Sequence, residues 1–230
     1  IDSTGHIKER GYLTQSLWSD TPMVRVSVYD EDARDMKENG VWSAPPMANH
    51  WNMKNKKTHF LKAFIFTNCE EVLVYVNDGL LIKADTTKMQ NGYLEVSLPN
   101  TPGTLMAKGY IGEEPVCEHV LRTAGEPDHI ELTELYNSPC ENEDIIIISA
   151  EIIDSDGNIC PFYDKNITFL CSGLTFIATD SGDPTDHTPY KSNTRKPLNG
   201  RCVALCKKTG ARGGRVTVIS DRLLSVCDVR

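Results

Sequence analysis

Residues 67–79 read TNCEEVLVYVNDG. Val72, Val74 and Val76 point one way, and Leu73, Tyr75 and Asn77 the other. Period two with β-branched residues predicts a strand with one buried face. Residues 61–66 (LKAFIF) predict another strand just before it. The polar link Asn68-Cys69-Glu70-Glu71 is expected to join the two as a hairpin. Asn77-Asp78-Gly79 predicts the next turn, because Gly tolerates positive φ and Asn or Asp also populates it. This hairpin is expected to nucleate an antiparallel sandwich.

Working outward, 230 residues are too many for one small sandwich and suit two domains of roughly 100 residues. The net charge is −8 and the pI about 5.3. Residues 1–122 carry −3 (13 basic, 16 acidic) and residues 123–230 carry −5 (11 basic, 16 acidic), so neither half has the basic balance of a nucleic-acid binder. No apolar run approaches the ~18 residues of a membrane-spanning helix. Ile1 is not an initiator methionine, so residue 1 reads as a cut end and no signal peptide is visible. The eight cysteines form no CxxC pair, which argues against a zinc knuckle or thioredoxin motif. They read first as buried thiols, with one or two disulfides in an oxidising compartment as the alternative. Cys202 and Cys206 share a strand face too far apart to bond each other.

Toward the N-terminus, residues 6–17 predict a short helix, with Ile7, Thr14, Leu17 and Trp18 on one stripe and Gly11 weakening it. A helix this short needs a packing partner. It is expected to dock through Leu13, Leu17 and Trp18, with residues 1–4 loose. Asp20-Thr21-Pro22 ends it. Residues 23–29 (MVRVSVY) alternate as a first strand, and residues 30–47 read as a charged, irregular insertion. Beyond the central stretch, residues 80–84, 93–98, 104–111 and 116–121 predict further strands separated by turns. Residues 122–128 (RTAGEPD) form a linker with no apolar periodicity, where the domains should be separable. The pattern then restarts: 129–136, the strongly apolar 145–153, 166–172, 174–179, 202–207, 214–220 and 224–229 are strand-like. Residues 202–207 are expected to pair with 214–220. Short strands at this spacing predict all-β, immunoglobulin-like sandwiches rather than βαβ units.

Several motifs recur in the order of a known family. They are Trp18-Ser19-Asp20-Thr21-Pro22-Met23-Val24, His50-Trp51-Asn52, the 68–79 stretch, and Pro102-Gly103-Thr104-Leu105-Met106-Ala107-Lys108-Gly109-Tyr110. Thr123-Ala124-Gly125-Glu126-Pro127, Gly182-Asp183-Pro184-Thr185-Asp186, Arg195 and Leu198-Asn199-Gly200-Arg201 follow. Together they resemble the C-terminal region of family 2 glycoside hydrolases of the bacterial β-galactosidase-like type. The 30–47 insertion and Asn77-Asp78-Gly79, in place of a plain Asn-Gly turn, depart from that pattern. The resemblance implies two tandem antiparallel sandwiches, residues 18–122 and 123–230. It makes residues 1–17 the last helix of a catalytic (β/α)8 barrel. It implies an accessory, non-catalytic piece of a retaining glycoside hydrolase, whose partners are the upstream barrel of the same chain, carbohydrate and a second copy. A periplasmic or secreted location is implied on the same ground.

The chemistry agrees with an accessory role. Retaining hydrolysis needs two carboxylates about 5 Å apart, and in this family they belong to the barrel. Asp180, Asp183 and Asp186 lack EF-hand spacing and read as a solvated loop whose side chains bond their own backbone. Arg195 and Arg201 are expected to pair with Asp180 or Asp183. The scattered His6, His59, His119, His129 and His187 suggest no metal site, and no cofactor is expected. Trp18, Trp42, His50 and Trp51 are the candidate carbohydrate contacts. For Trp51 the plainer reading is an anchor in the sandwich core. For Trp18 it is docking at the barrel junction. An independent carbohydrate-binding module using exposed aromatics is the alternative function.

Overall fold

The computed structural model describes residues 1–30, 45–53, 59–89, 91–137, 145–209 and 213–229. Most of the 30–47 insertion, Trp42 within it, the basic turn at 54–57 and Cys140 lie outside the described residues. The chain divides into two units, one of residues 7–123 and one of residues 124–230 together with residues 2–6.

The first unit opens with helix α1 (Glu9–Trp18), followed by β1 (Val24–Tyr29), β2 (Met47–Ala48), β3 (Phe60–Thr67), β4 (Glu71–Val76), β5 (Gly79–Asp85), β6 (Leu94–Pro99), β7 (Thr104–Ile111) and β8 (Glu114–Arg122). Two antiparallel sheets result, ordered β2-β1-β3-β6 and β5-β4-β7-β8. Their inner faces meet in one core. Val24, Val26, Val28, Leu61, Ala63 and Ile65 come from the first sheet, and Val72, Val74, Leu105 and Ala107 from the second.

The central stretch folds as strands where the alternation predicts them, but β3 and β4 are not a hairpin. Residues 68–70 carry the chain from one sheet to the other. A tight polar link serves equally for a hairpin and for a corner between sheets, and alternation does not say which sheet a strand joins. The hairpin is β4–β5, with Val76 opposite Gly79. The residues at positive φ are Asn77 (49°) and Asp78 (66°), as a two-residue type I′ turn requires, and Gly79 is not among them. The Asn77 amide fastens this turn to the next loop. Its Nδ2 donates to the Pro102 carbonyl at 2.9 Å, and its Oδ1 accepts from the Thr104 N–H at 2.8 Å.

The outer face of β1 and β3 is also covered. Phe64 and Phe66 are buried there, with the Tyr93 ring edge-on to both at centroid distances of 5.4 and 6.3 Å. Helix α1 packs against β1 and β3. It begins at Glu9, later than the expected residue 6, and its buried residues are Glu9 and Ser16. Leu17 is 59% and Trp18 83% exposed. The docking is therefore polar at its centre, in place of the expected apolar stripe. Only Leu13 and Leu17 make an apolar edge, lying over Gly92.

The second unit comprises β9 (Pro127–Asn137), β10 (Ile145–Asp154), β11 (Ile167–Ser172), β12 (Leu174–Asp180), β13 (Thr194–Arg195), β14 (Arg201–Lys208), β15 (Gly214–Ser220) and β16 (Leu223–Val229). The sheets are β12-β14-β10-β9 and β13-β11-β15-β16. Ile146, Ile148, Ile152, Ile167, Phe169, Val216 and Val218 are fully or almost fully buried between them. Two further corners carry the chain between sheets, and the second replaces the expected pairing of 202–207 with 214–220. The chain passes from β11 to β12 through Gly173 alone, and β14 and β15 lie in opposite sheets instead of pairing. Gly173 has φ of +70°, and a Cβ there would stand 3.0 Å from the Gly213 carbonyl oxygen. Only a residue without a side chain makes that corner at no steric cost. Residues 1–4 are not loose either. Asp2 Oδ1 accepts from the N–H groups of Thr4 (2.9 Å) and His6 (3.0 Å) and from the Thr4 hydroxyl (2.7 Å), and Thr4 is buried.

The linker is bonded on both sides. Thr123 exchanges hydrogen bonds with Gly103 and donates its hydroxyl to the Trp51 carbonyl at 2.8 Å. The Gly125 N–H donates to Asp154 Oδ2 at 2.7 Å.

Asp78→Gly is expected to raise the stability of the first unit by about 0.5 kcal/mol, since the left-handed conformation costs glycine nothing. Asn77→Ala should lower it by ~1–3 kcal/mol through the lost amide bonds. Urea unfolding midpoints check both, and a Gly variant with a lower midpoint would contradict the turn assignment.

Candidate functional site

The aromatic candidates do not converge. Trp51 precedes β3 and is buried at 3% exposure, its Nε1 donating to the Thr101 carbonyl at 2.9 Å. Its ring belongs to the sandwich core and presents no face to solvent. His50 beside it is half-buried, with Nδ1 accepting the Asn52 N–H at 3.3 Å. Trp18 ends α1 with its ring in solvent. A pyranose platform needs exposed aromatic faces set together, and Trp51 cannot share one with Trp18.

The richest polar constellation lies in the second unit, on the loop between β12 and β13. Asp180, Asp183 and Asp186 each accept a backbone N–H two residues ahead, from Gly182 (3.0 Å), Thr185 (2.8 Å) and Thr188 (2.8 Å). These are Asx turns, as the spacing of short acidic side chains predicts. Arg195, on β13, reaches into the loop with 2% of its side chain exposed. Its Nη1 donates to Asp186 Oδ2 at 2.7 Å and to the Thr188 carbonyl at 2.9 Å. Nη2 donates to the carbonyls of Thr179 (2.8 Å) and Pro189 (3.1 Å), and Nε to the Thr179 hydroxyl at 3.2 Å. The partner is thus Asp186, where Asp180 or Asp183 was expected. All three aspartates hold a turn through Oδ1, and it is the second oxygen of Asp186 that lies within reach of the guanidinium. Arg201 pairs with Glu151, its register partner across β10 and β14, at 2.8 Å. Burial would raise the Asp186 carboxyl, but bonds from Arg195 and Thr188 hold it down at about 2.

With every guanidinium donor directed at the protein, the Arg195 cluster organises a loop and offers nothing to a ligand. Among the described residues no group of three or more His, Cys, Asp or Glu is arranged to hold a metal ion.

The sequence reading misses a buried ion pair beneath α1. Glu9 Oε1 accepts Arg25 Nη2 at 2.9 Å, its Oε2 accepts Arg25 Nε at 3.3 Å, and the buried Ser27 hydroxyl also donates to it. The Tyr12 ring lies 4.0 Å from the Arg25 guanidinium. A signal was present. Arg25 and Ser27 sit two apart on one face of an apolar strand, and a buried cation there requires an anion.

Comparison with known proteins places this architecture. Residues 136–225 match the family model described as glycoside hydrolase family 2 C-terminal domain 5. A β-galactosidase of Bacteroides ovatus is 25% identical over 226 residues, covering 97% of this chain and 24% of that protein. A β-glucuronidase of Formosa agariphila is 25% identical over 240 residues, covering 96% and 22%. A solved glycosyl hydrolase family 2 member from Bacteroides cellulosilyticus superposes with a TM-score of 0.89 at 21% identity, over 100% of this chain and 32% of that one. The chain thus spans about a quarter of the length of the curated relatives it matches.

Three substitutions test these assignments. Arg195→Met should cost roughly 3–5 kcal/mol by stranding Asp186 and the loop carbonyls. The Asp186 carboxyl is depressed in the folded state, so its contribution is complete above the unfolded value near 4 and lost as pH falls toward 2. The stability gap between wild type and variant should therefore narrow between pH 5 and pH 2, and a gap independent of pH would count against the pair. Trp51→Ala should cost ~3–5 kcal/mol, and Trp51→Phe about 1–3 kcal/mol through the unsatisfied Thr101 carbonyl. A Trp51→Ala protein as stable as wild type would mean the ring is not a core anchor.

Proposed function

We propose that this chain, which matches the C-terminal domain of glycoside hydrolase family 2 proteins, is the non-catalytic accessory C-terminal part of a retaining β-galactosidase-like enzyme of that family. The parent hydrolyses O-glycosidic bonds of β-galactosides or of the related β-glucuronides, and this region buttresses its catalytic barrel. The observation that carries the reading is what the carboxylates do: Asp186 and Glu9 are bound by Arg195 and Arg25, and Asp180 and Asp183 each hold a backbone N–H of their own loop through Oδ1. None is placed to protonate a leaving group or attack an anomeric carbon.

Helix α1 is read here as the last helix of that barrel. It is held on the first sandwich by Glu9, Arg25 and Tyr12, while Trp18 and much of Leu17 stay open to solvent. A tryptophan 83% exposed beside a leucine 59% exposed is a surface suited to an apolar neighbour. The barrel of the same polypeptide is the neighbour proposed, and a periplasmic or secreted location goes with the same reading. The burial of Trp51 speaks against an independent sugar-binding module.

The purified chain should release no nitrophenol from nitrophenyl β-galactoside or β-glucuronide above a blank. Trp18→Ser should leave the isolated chain's unfolding midpoint unchanged and destabilise the full-length enzyme by ~2–4 kcal/mol. Turnover by the chain alone would refute the accessory role. An equally stable full-length variant would refute the docking.

A further inference from the structure

Two pairs of cysteine sulfurs lie in contact, and neither belongs to the constellations above. Cys69 Sγ is 3.4 Å from Cys117 Sγ in the first unit, and Cys171 Sγ is 3.3 Å from Cys206 Sγ in the second. All four thiols are free. We propose that Cys69–Cys117 and Cys171–Cys206 are two dithiol sites that close to disulfides, one in each sandwich, on meeting a small-molecule disulfide oxidant.

The first pair reaches across a strand. Cys69 lies in the corner between β3 and β4, Cys117 on the edge strand β8, and β7 runs between. The β7 residue opposite Cys117 is Gly109, which is also the partner of Val72. A Cβ on Gly109 would stand 2.5 Å from Cys69 Sγ and 2.8 Å from Cys117 Sγ. The absence of a side chain at this one position gives the two sulfurs their room. The second pair joins the two sheets of its sandwich. Cys171 is on β11, Cys206 on β14, and both lie in the core between them. An inter-sheet bond between facing strands is an established way to tie a sandwich together. A sulfur–sulfur bond is about 2.05 Å long, so the remaining approach is of a size that side-chain rotation supplies.

Accessibility suits stepwise exchange. In each pair one cysteine is sealed (Cys69 at 2%, Cys206 at 0%) and the other, Cys117 or Cys171, is only half-buried. The half-buried thiolate attacks one sulfur of the oxidant, whose sulfur–sulfur bond breaks and releases one thiol. The sealed cysteine then gives up its proton and attacks the protein sulfur of the mixed disulfide, releasing the second thiol. Two protein thiols and one disulfide become one protein disulfide and two thiols. At Cys171 the hydrogen bond from Cys206 outweighs burial and holds the thiol below its ordinary value, while Cys206 is raised by the same bond and by burial. The accessible member of that pair is therefore the one disposed to attack, whereas at Cys117 burial and the contact with Cys69 push the thiol up to about 12, so there exposure alone selects the attacking sulfur. Cys160 and Cys227 instead turn their sulfurs toward carbonyl oxygens, those of Gly125 (3.7 Å) and Asp228 (4.0 Å).

The test uses the full chain, reduced, freed of reductant and incubated with oxidised glutathione. Thiols are counted after unfolding, and cross-links are mapped by non-reducing tryptic digestion. Of the eight thiols, four should be lost, with Cys69 linked to Cys117 and Cys171 to Cys206. Cys202 and Cys206 share a tryptic peptide, so fragmentation between them must locate the second link at Cys206. Cys117→Ser should abolish the first link and keep the second, and Cys171→Ser the reverse. Retention of all eight thiols, persistent glutathione adducts, or links joining other cysteines would overturn the proposal, and mapping of the wild-type chain decides it even if a variant fails to fold.

Discussion

In each unit the structure depends on two apolar sheet faces closing on one another. Val26, Ala63, Ile65, Val72, Val74 and Leu105 in the first unit are removed from water, as are Ile146, Ile148, Ile152, Phe169 and Val218 in the second. A fully buried Val, Leu, Ile or Phe contributes on the order of 1.5–3 kcal/mol relative to an exposed one. No polar contact among the described residues approaches the sum of these. The constraint is also directional. With a side-chain period of two, a one-residue slip of any strand would turn its apolar set outward. Register is therefore enforced by the faces, and the corners must deliver each strand to the right sheet in the right phase. Residues 68–70 and Gly173 do this in three residues and in one.

Once the inner faces are closed, buried charge organises what lies outside them. The Glu9–Arg25 pair beneath α1 and the Arg195–Asp186 pair under the 181–193 loop have the same logic. Each replaces an apolar contact that the local sequence does not provide. The helix has no continuous leucine stripe, and the loop is built mostly of Asp, Thr, Ser and Pro. A buried ion pair gives little net stability over a well-packed apolar substitute, but a misplaced one is expensive. Such pairs consequently fix where a segment sits more than how strongly it is held. Arg195 does so with five hydrogen bonds converging on Thr179, Asp186, Thr188 and Pro189. A single side chain thus sets the course of a long irregular loop.

This division explains what was legible in the sequence. Strand positions were, because burial on one face writes period two into the residues: the prediction for 104–111 coincides with β7, and that for 174–179 falls one residue short of β12. The all-β class and the family followed, the latter from motifs in order rather than from any one of them. Sheet membership was not legible, because the 68–70 link and Gly173 look the same whether they fold a strand back on its neighbour or pass it across the core. The turn over Asn77-Asp78-Gly79 falls where the sequence predicts it, and of the residue types there that tolerate positive φ, Asn77 and Asp78 adopt it while Gly79 does not. The partners of Arg195 and Glu9 were out of reach for a further reason. All three of Asp180, Asp183 and Asp186 hold Asx turns, so the choice among them depends on where the folded loop carries each carboxylate, and Glu9 meets Arg25 only once α1 lies on β1.

The fate of the tryptophans connects these levels to function. Trp51 and Trp18 stand in equally polar local sequence, and residue type alone makes each a candidate sugar contact. Their environments separate them. Trp51 lies between a corner and a sheet edge, where its Nε1 finds the Thr101 carbonyl and its ring fills the end of the core. Trp18 is the last residue of a helix whose first residue, Glu9, is buried on Arg25, and its ring stands in solvent. Ordering a helix only ten residues long through a buried carboxylate, with its largest apolar side chain left uncovered, is poorly accounted for by the stability of this unit alone. It is accounted for if α1 is a joint, anchored by charge on the sandwich side and completed by apolar contact on the other.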